Sequence, residues 1–141
     1  MATRESVSLD LTLVASPELQ HELEQIGTPV SRPRGTVVFR RGEPNSGAFL
    51  IRKGGVRLFL RNARGIVISD RWMGPRSLLG LPSTFNQRAY SLDAEALEDV
   101  ELISISSPAL HDFVRDCSRG REVLEILARE VSAIQILAGQ L

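Results

Sequence analysis

Gly35-Thr36-Val37-Val38-Phe39-Arg40-Arg41-Gly42-Glu43-Pro44 leads, past a short polar break, into Ala48-Phe49-Leu50-Ile51-Arg52-Lys53-Gly54-Gly55-Val56-Arg57-Leu58-Phe59-Leu60-Arg61. Short apolar runs alternate here with glycine-bearing breaks. Thr36 to Arg41, Ala48 to Arg52 and Val56 to Arg61 read as three strands. In the third, Val56, Leu58 and Leu60 fall on one face, and Arg57 and Arg61 fall on the other with Phe59. A period of two over β-branched and aromatic residues belongs to a half-buried strand.

The same rhythm continues outward. Gly65 precedes Ile66 to Trp72, with Ile66, Ile68 and Trp72 in step. Ala89 to Leu97 follows, with Tyr90, Leu92, Ala94 and Ala96 in step, and then Val100 to Ser106. Nine of the eleven glycines lie between Gly27 and Gly80, which is the punctuation of an antiparallel β domain. So many short strands predict a sandwich, barrel or roll.

Helices bracket the strands. Ser16-Pro17 is an N-cap followed by proline at the first helical position, and the helix it opens ends at Gly27. Ser107-Pro108 repeats the signal for a helix over Pro108 to Arg115. The longest helix is predicted over Arg119 to Gln140. Along it Leu124, Leu127, Val131, Ile134, Ala138 and Leu141 form a heptad seam, beside a second stripe of Val123, Ile126, Ala133 and Leu137. One stripe can pack on the chain's own β domain while the other meets a second copy. The alternative is one wide apolar face buried within the monomer.

Composition narrows the function. At 141 residues the chain is one domain or one domain plus a tail, and 43% apolar with 24% charged residues is an ordinary globular balance. The one cysteine, Cys117, excludes an internal disulfide and a cysteine-ligated metal cluster within one chain. Two histidines, His21 and His111, leave little for a histidine-based metal site. No stretch reaches the length of a membrane span, and Met1 to Leu9 lacks the apolar core of a signal peptide. A cytoplasmic protein is the expectation.

Seventeen basic and seventeen acidic residues cancel, so no bulk attraction to nucleic acid is expected. The distribution is uneven: residues 28–76 hold eleven basic and two acidic side chains. Either the fold brings this segment against the acidic ends, or a basic surface meets an anion. Sixteen of the bases are arginine, the side chain best shaped for anion pairing.

The stretch from Gly35 to Pro44, continued by Ala48 to Val56, resembles the opening of a cyclic-nucleotide-binding domain of the catabolite-activator/Fnr (Crp/Fnr) regulator type. The resemblance runs through Ala94 to Ser106, the helix Pro108 to Arg115, and the terminal helix, covering about residues 16–141. It implies a mainly β fold: a jelly roll with flanking helices and a long C-terminal dimerisation helix. The implied parts are an N-terminal extension over 1–15, a roll over 16–118 and the helix over 119–141.

In that family a cassette inside the roll holds the ligand, with Gly-Glu at one end and Arg-Ala or Arg-Ser at the other. Backbone N–H groups and the arginine meet the cyclic phosphate, and the glutamate accepts from the ribose hydroxyl. The matching stretch is Leu79-Gly80-Leu81-Pro82-Ser83-Thr84-Phe85-Asn86-Gln87-Arg88-Ala89-Tyr90-Ser91. Gly80 and Arg88-Ala89 match. Leu81 stands in the glutamate's place, Pro82 removes a backbone donor, and the cassette is a residue or two short. A ribose hydroxyl facing Leu81 loses its partner, at about tenfold to a hundredfold in affinity. The implied ligand residues are Gly80, Ser83, Arg88 and Ala89, with Ser132 and Gln135 reaching from the long helix. The implied effector is a cyclic nucleotide or another small anion, anchored by Arg88.

An enzyme is not expected. Metal-dependent jelly rolls place histidines on barrel strands, yet there is none between Thr28 and Ser106. Cys117 and His111 do not share a helical face, and phosphate-loop and dinucleotide fingerprints are absent. No catalytic residue and no metal ligand is assigned. Three roles stay open: a ligand-sensing regulatory domain, a scaffold that keeps the fold without a ligand, and the sensor half of a DNA-binding regulator. In the DNA-binding members a winged helix follows the dimerisation helix. This sequence ends near it at Leu141, so no DNA contact by this chain alone is expected. A sensor requires an open polar space inside the roll. A scaffold has that space filled by Leu81, Phe85, Tyr90 or Trp72.

Overall fold

The computed structural model describes residues 14–138, with side chains through Ser132. Helix α1 (Pro17–Ile26) starts where Ser16 Oγ accepts from the Leu19 N–H at 3.1 Å, as the Ser-Pro signal predicts. It stops at Gly27, which sits so tightly on the strand Val100–Ile105 that a Cβ would meet Ile103 and the Ser104 carbonyl. The strands are β1 (Thr28–Arg32), β2 (Val37–Phe39), β3 (Ala48–Lys53), β4 (Val56–Arg61), β5 (Val67–Met73), β6 (Leu78–Leu79), β7 (Asp93–Ala96) and β8 (Val100–Ile105). Helix α2 (Leu81–Asn86) interrupts them, and α3 (Ser107–Asp116) and α4 (Gly120–Ala138) follow.

All pairings are antiparallel, in two four-stranded sheets of order β1-β8-β3-β6 and β2-β7-β4-β5. This is the expected jelly roll. The inner faces share one core of Phe39, Phe49, Ile51, Leu58, Tyr90 and Leu102. A second core lies between the first sheet and the helices, built from Leu19, Leu23, Leu50, Ile103, Phe113 and Ile126. The first sheet is therefore covered on both faces, which is why Ala48 to Ile51 is an unbroken apolar run with every residue buried. The second sheet turns one face to water. There Arg57 pairs with Asp70 at 2.8 Å, and Arg57 and Arg61 cover the Phe59 ring at 4.1 and 5.3 Å.

Several expectations shift. Thr36 to Arg41 shortens to β2 and Ala89 to Leu97 shortens to β7, with a register irregularity between Val37 and Phe39. Trp72 is not on the inner face with Ile68. A register shift opposite Leu60 and Arg61 puts Met73 inside, and Trp72, 55% exposed, lies flat against Gly55 and Gly74. On α4 the stripe of Val123 and Ile126 is buried in the chain's own core, Leu127 packs partly against it, and Leu124 is exposed. Of the expected seam, the side chains of Ile134, Ala138 and Leu141 lie outside the described residues, as do the Gln135 side chain and residues 1–13 of the 1–15 extension, whose last two residues, Val14 and Ala15, join the fold by a bridge to Ser77 and by burial in the helix-side core.

Candidate ligand site

The cassette begins at β6 and folds into α2. Gly80 is the helix N-cap in the left-handed region, φ 74°, and the ring of Tyr90 passes so close that a Cβ there would stand 3.0 Å from Tyr90 Cε1. Pro82 sits in the first turn, where its missing N–H costs nothing. The loop closes on itself: the Thr84 hydroxyl donates to the Gly80 carbonyl at 2.7 Å, and the Arg88 N–H donates to the Ser83 carbonyl at 2.9 Å. Leu81 is buried in the helix-side core, facing away from the roll interior.

Tyr90 fills that interior. Its ring stacks on Phe39, centroids 4.0 Å apart and planes 9° from parallel. Its hydroxyl donates to the Gly47 carbonyl at 2.6 Å and accepts the Ser46 N–H at 3.0 Å. The space left among Phe39, Leu58, Gly80, Ser83, Tyr90 and Glu130 is about 10 Å³, room for about one water. Small-molecule sites run to roughly 300–1,000 Å³. Glu130 closes the rim from α4, paired with Arg71 of β5 at 3.1 Å, and both side chains are largely buried.

The expected ligand residues therefore divide. Gly80 and Ser83 border the interior cavity. Arg88 and Ala89 are exposed and line a separate groove outside the roll, with Asn45, Ser107 and His111. Ser132 is exposed on α4. Tyr90, Arg71 and Glu130 were not among the expected site residues. One signal for Glu130 was available, since a charged residue four positions after Ile126 interrupts the inner stripe of the long helix.

Among the described residues no group of three or more histidine, cysteine or acidic side chains could hold a metal ion, and no helix is long and apolar enough to cross a membrane. Residues 29–117 match the family described as the cyclic nucleotide-binding domain. The chain belongs to this family, in its Crp/Fnr regulator branch. It is 30% identical over 104 residues to a CRP-like cAMP-activated global transcriptional regulator of Mycobacterium tuberculosis, across 73% of this chain and 46% of the relative. The chain thus spans less than half the length of the curated relatives it matches. The catabolite activator protein of Thermus thermophilus superposes with a TM-score of 0.69 at 25% identity, over 89% of this chain and 57% of that one. The sensor domain of the regulator DNR from Pseudomonas aeruginosa shares the fold, with a TM-score of 0.65 at 20% identity, over 99% and 94%.

Proposed function

We propose that this chain is a regulatory domain of the Crp/Fnr type whose roll interior is closed to cyclic AMP and cyclic GMP. The observation that carries the reading is Tyr90, stacked on Phe39 and bonded to Gly47, in a cavity of about 10 Å³. Leu81 in the place of the ribose-binding glutamate supports it independently. The roll over 16–118 is the responsive body, and the helix over 119–141 is the coupling element. No catalysis is assigned, and a cytoplasmic location accords with the family. The filled interior equally favours a scaffold that regulates through contacts alone. The relatives' cAMP-activated regulation of transcription extends the proposal to the sensor half of a DNA-binding regulator.

Calorimetry with cyclic AMP and cyclic GMP tests the closed interior. The expected result is weak binding or none. Submicromolar affinity that survives Arg88→Ala would overturn both the closure and the role of Leu81. Weak binding abolished by Arg88→Ala would retain this arginine as the anion anchor of a sensor, against the scaffold.

Pairing of two copies through α4 is part of the same proposal. Leu124 is 45% exposed on this helix, beside Leu127 and Val131. Leu124→Glu is expected to convert a dimer into a monomer in sedimentation, because the new charge would be buried without a partner. A wild-type chain already monomeric at micromolar concentration defeats the pairing.

A further inference from the structure

Arg71 stands opposite Leu58 in the ladder between β4 and β5. Directly opposed residues share one face of a sheet, so its side chain lies on the inner side, next to the core that Leu58 helps to form. Arg57 and Arg61 lie on the outer face of the same sheet, over the Phe59 ring, and Arg88 lines the outer groove. The Arg71 side chain keeps 14% of its surface. A guanidinium withdrawn so far from water cannot shed its charge and needs an anion beside it.

Glu130 is that anion, and its hold is partial. One bond joins the two, from Arg71 Nη2 to Glu130 Oε2 at 3.1 Å, and neither side chain makes another among the described residues. The exposed pairs of this chain are better made. Arg57 meets Asp70 through Nε and Nη2 at 2.8 and 2.9 Å, and Arg115 meets Asp116 through the same two atoms at 2.9 and 3.0 Å. Two parallel bonds are the stronger way for a guanidinium to hold a carboxylate. Arg71 Nε and Nη1 are left without a bond but keep contact with solvent, so an incoming group can reach them. The receptor belongs to β5 and its occupant to α4. Glu130 also lines the interior cavity of about 10 Å³, which has no room for a ligand while that carboxylate is in place. A ligand must therefore replace Glu130 at Arg71 and cannot add to it.

We propose that Arg71 is an anion receptor on the inner side of the second sheet and that Glu130 is its resident occupant, a built-in competitor that a small carboxylate displaces, freeing α4 from β5. The proposal deepens the regulatory reading and rests on it only in taking α4 as the coupling element.

Glu130→Ala removes Cγ and the carboxylate, the same heavy atoms as acetate, so acetate is the probe. The amide signals of the ¹⁵N-labelled chain are followed against sodium acetate, with sodium chloride at equal ionic strength as the reference. In the wild type the amides of Arg71 and of Ile126 to Ser132 are expected to move together at high acetate. In Glu130→Ala the apparent affinity for acetate is expected to rise about tenfold or more, because the competitor that kept the receptor occupied is gone. Glu130→Gln keeps the shape of the side chain without its charge and shifts affinity in the same direction, which keeps the test decisive if the alanine variant does not fold. Arg71→Leu added to either variant is expected to abolish the response, whereas Arg64→Ala, on the turn between β4 and β5, leaves it unchanged. The proposal is overturned if acetate does no more than chloride in Glu130→Ala and Glu130→Gln, if the response survives Arg71→Leu, or if inorganic phosphate moves these amides and acetate does not. Cyclic AMP in a parallel titration reads the closed interior by itself: shifts at Gly80 and Ser83 would refute that closure, while the acetate response would still decide the role of Arg71.

Discussion

Tyr90→Ala is expected to lower the free energy of unfolding by about 3–5 kcal/mol, the cost of removing a large aromatic side chain from a packed core. Tyr90 is 2% exposed and its ring lies flat on Phe39, so truncation removes the filling of the roll interior. It also leaves the Gly47 carbonyl without the hydroxyl that donates to it at 2.6 Å. Tyr90→Phe keeps the stack and loses the hydroxyl alone, and about 1–3 kcal/mol is expected for it. Urea unfolding of the two variants measures both. The vacated space should bind a small apolar molecule such as benzene, and the ligand should restore part of the stability, because it binds the folded state only. A loss below about 1 kcal/mol in Tyr90→Ala, well under the typical cost of emptying a core site, would mean that other groups fill the interior, and the case for a closed pocket would fail with it.

The roll was legible in the sequence wherever one face of a strand meets water. In Val56 to Arg61 the buried Val56, Leu58 and Leu60 alternate with Arg57 and Arg61, and the strand lies where the alternation puts it. The Ser-Pro start at Ser16 was equally readable, because a cap and a proline act within one turn, whereas at Ser107-Pro108 the helix was found but its cap is one residue earlier, at Ser106, whose Oγ accepts from the Ala109 N–H. Strand β1 was not foreseen. Thr28-Pro29-Val30-Ser31-Arg32 is polar, has one edge free, and is held by backbone pairing with β8, which leaves no hydrophobic period. Helix α2 is too short for a period to show. Trp72 was misplaced because the register shift opposite Leu60 and Arg61 moves every later side chain to the other face, and nothing local in the sequence marks it. The expected ligand residues divide for a similar reason. Arg88 and Tyr90 are two residues apart, but the sequence does not say that α2 ends in a left-handed Gln87, φ 55°, after which Arg88 lies on the outer groove and Tyr90 in the core.

Glu130→Ala is expected to cost about 3 kcal/mol, because it leaves the Arg71 guanidinium at the rim of the roll with no carboxylate. The two side chains are 14% and 9% exposed, so solvent screens their interaction far less than at a surface pair. Arg71 projects to the inner side of β5, opposite Leu58, and Glu130 reaches it from α4. The pair therefore ties the second sheet to α4 beside the interior cavity, which Glu130 helps to line. Replacing both partners by leucine should cost much less than either single change, since no unpaired charge is then left behind. A double-mutant cycle by chemical denaturation reads the coupling, and hydrogen exchange along α4 reads its consequence. In Glu130→Ala the amides around Ile126 to Ser132 should exchange faster while those of β3 and β8 keep their protection. If both single variants unfold within about 0.5 kcal/mol of wild type, as exposed ion pairs commonly do, the pair does not tie the helix to the roll, and movement of α4 must be controlled by the apolar contacts of Val123 and Ile126 alone.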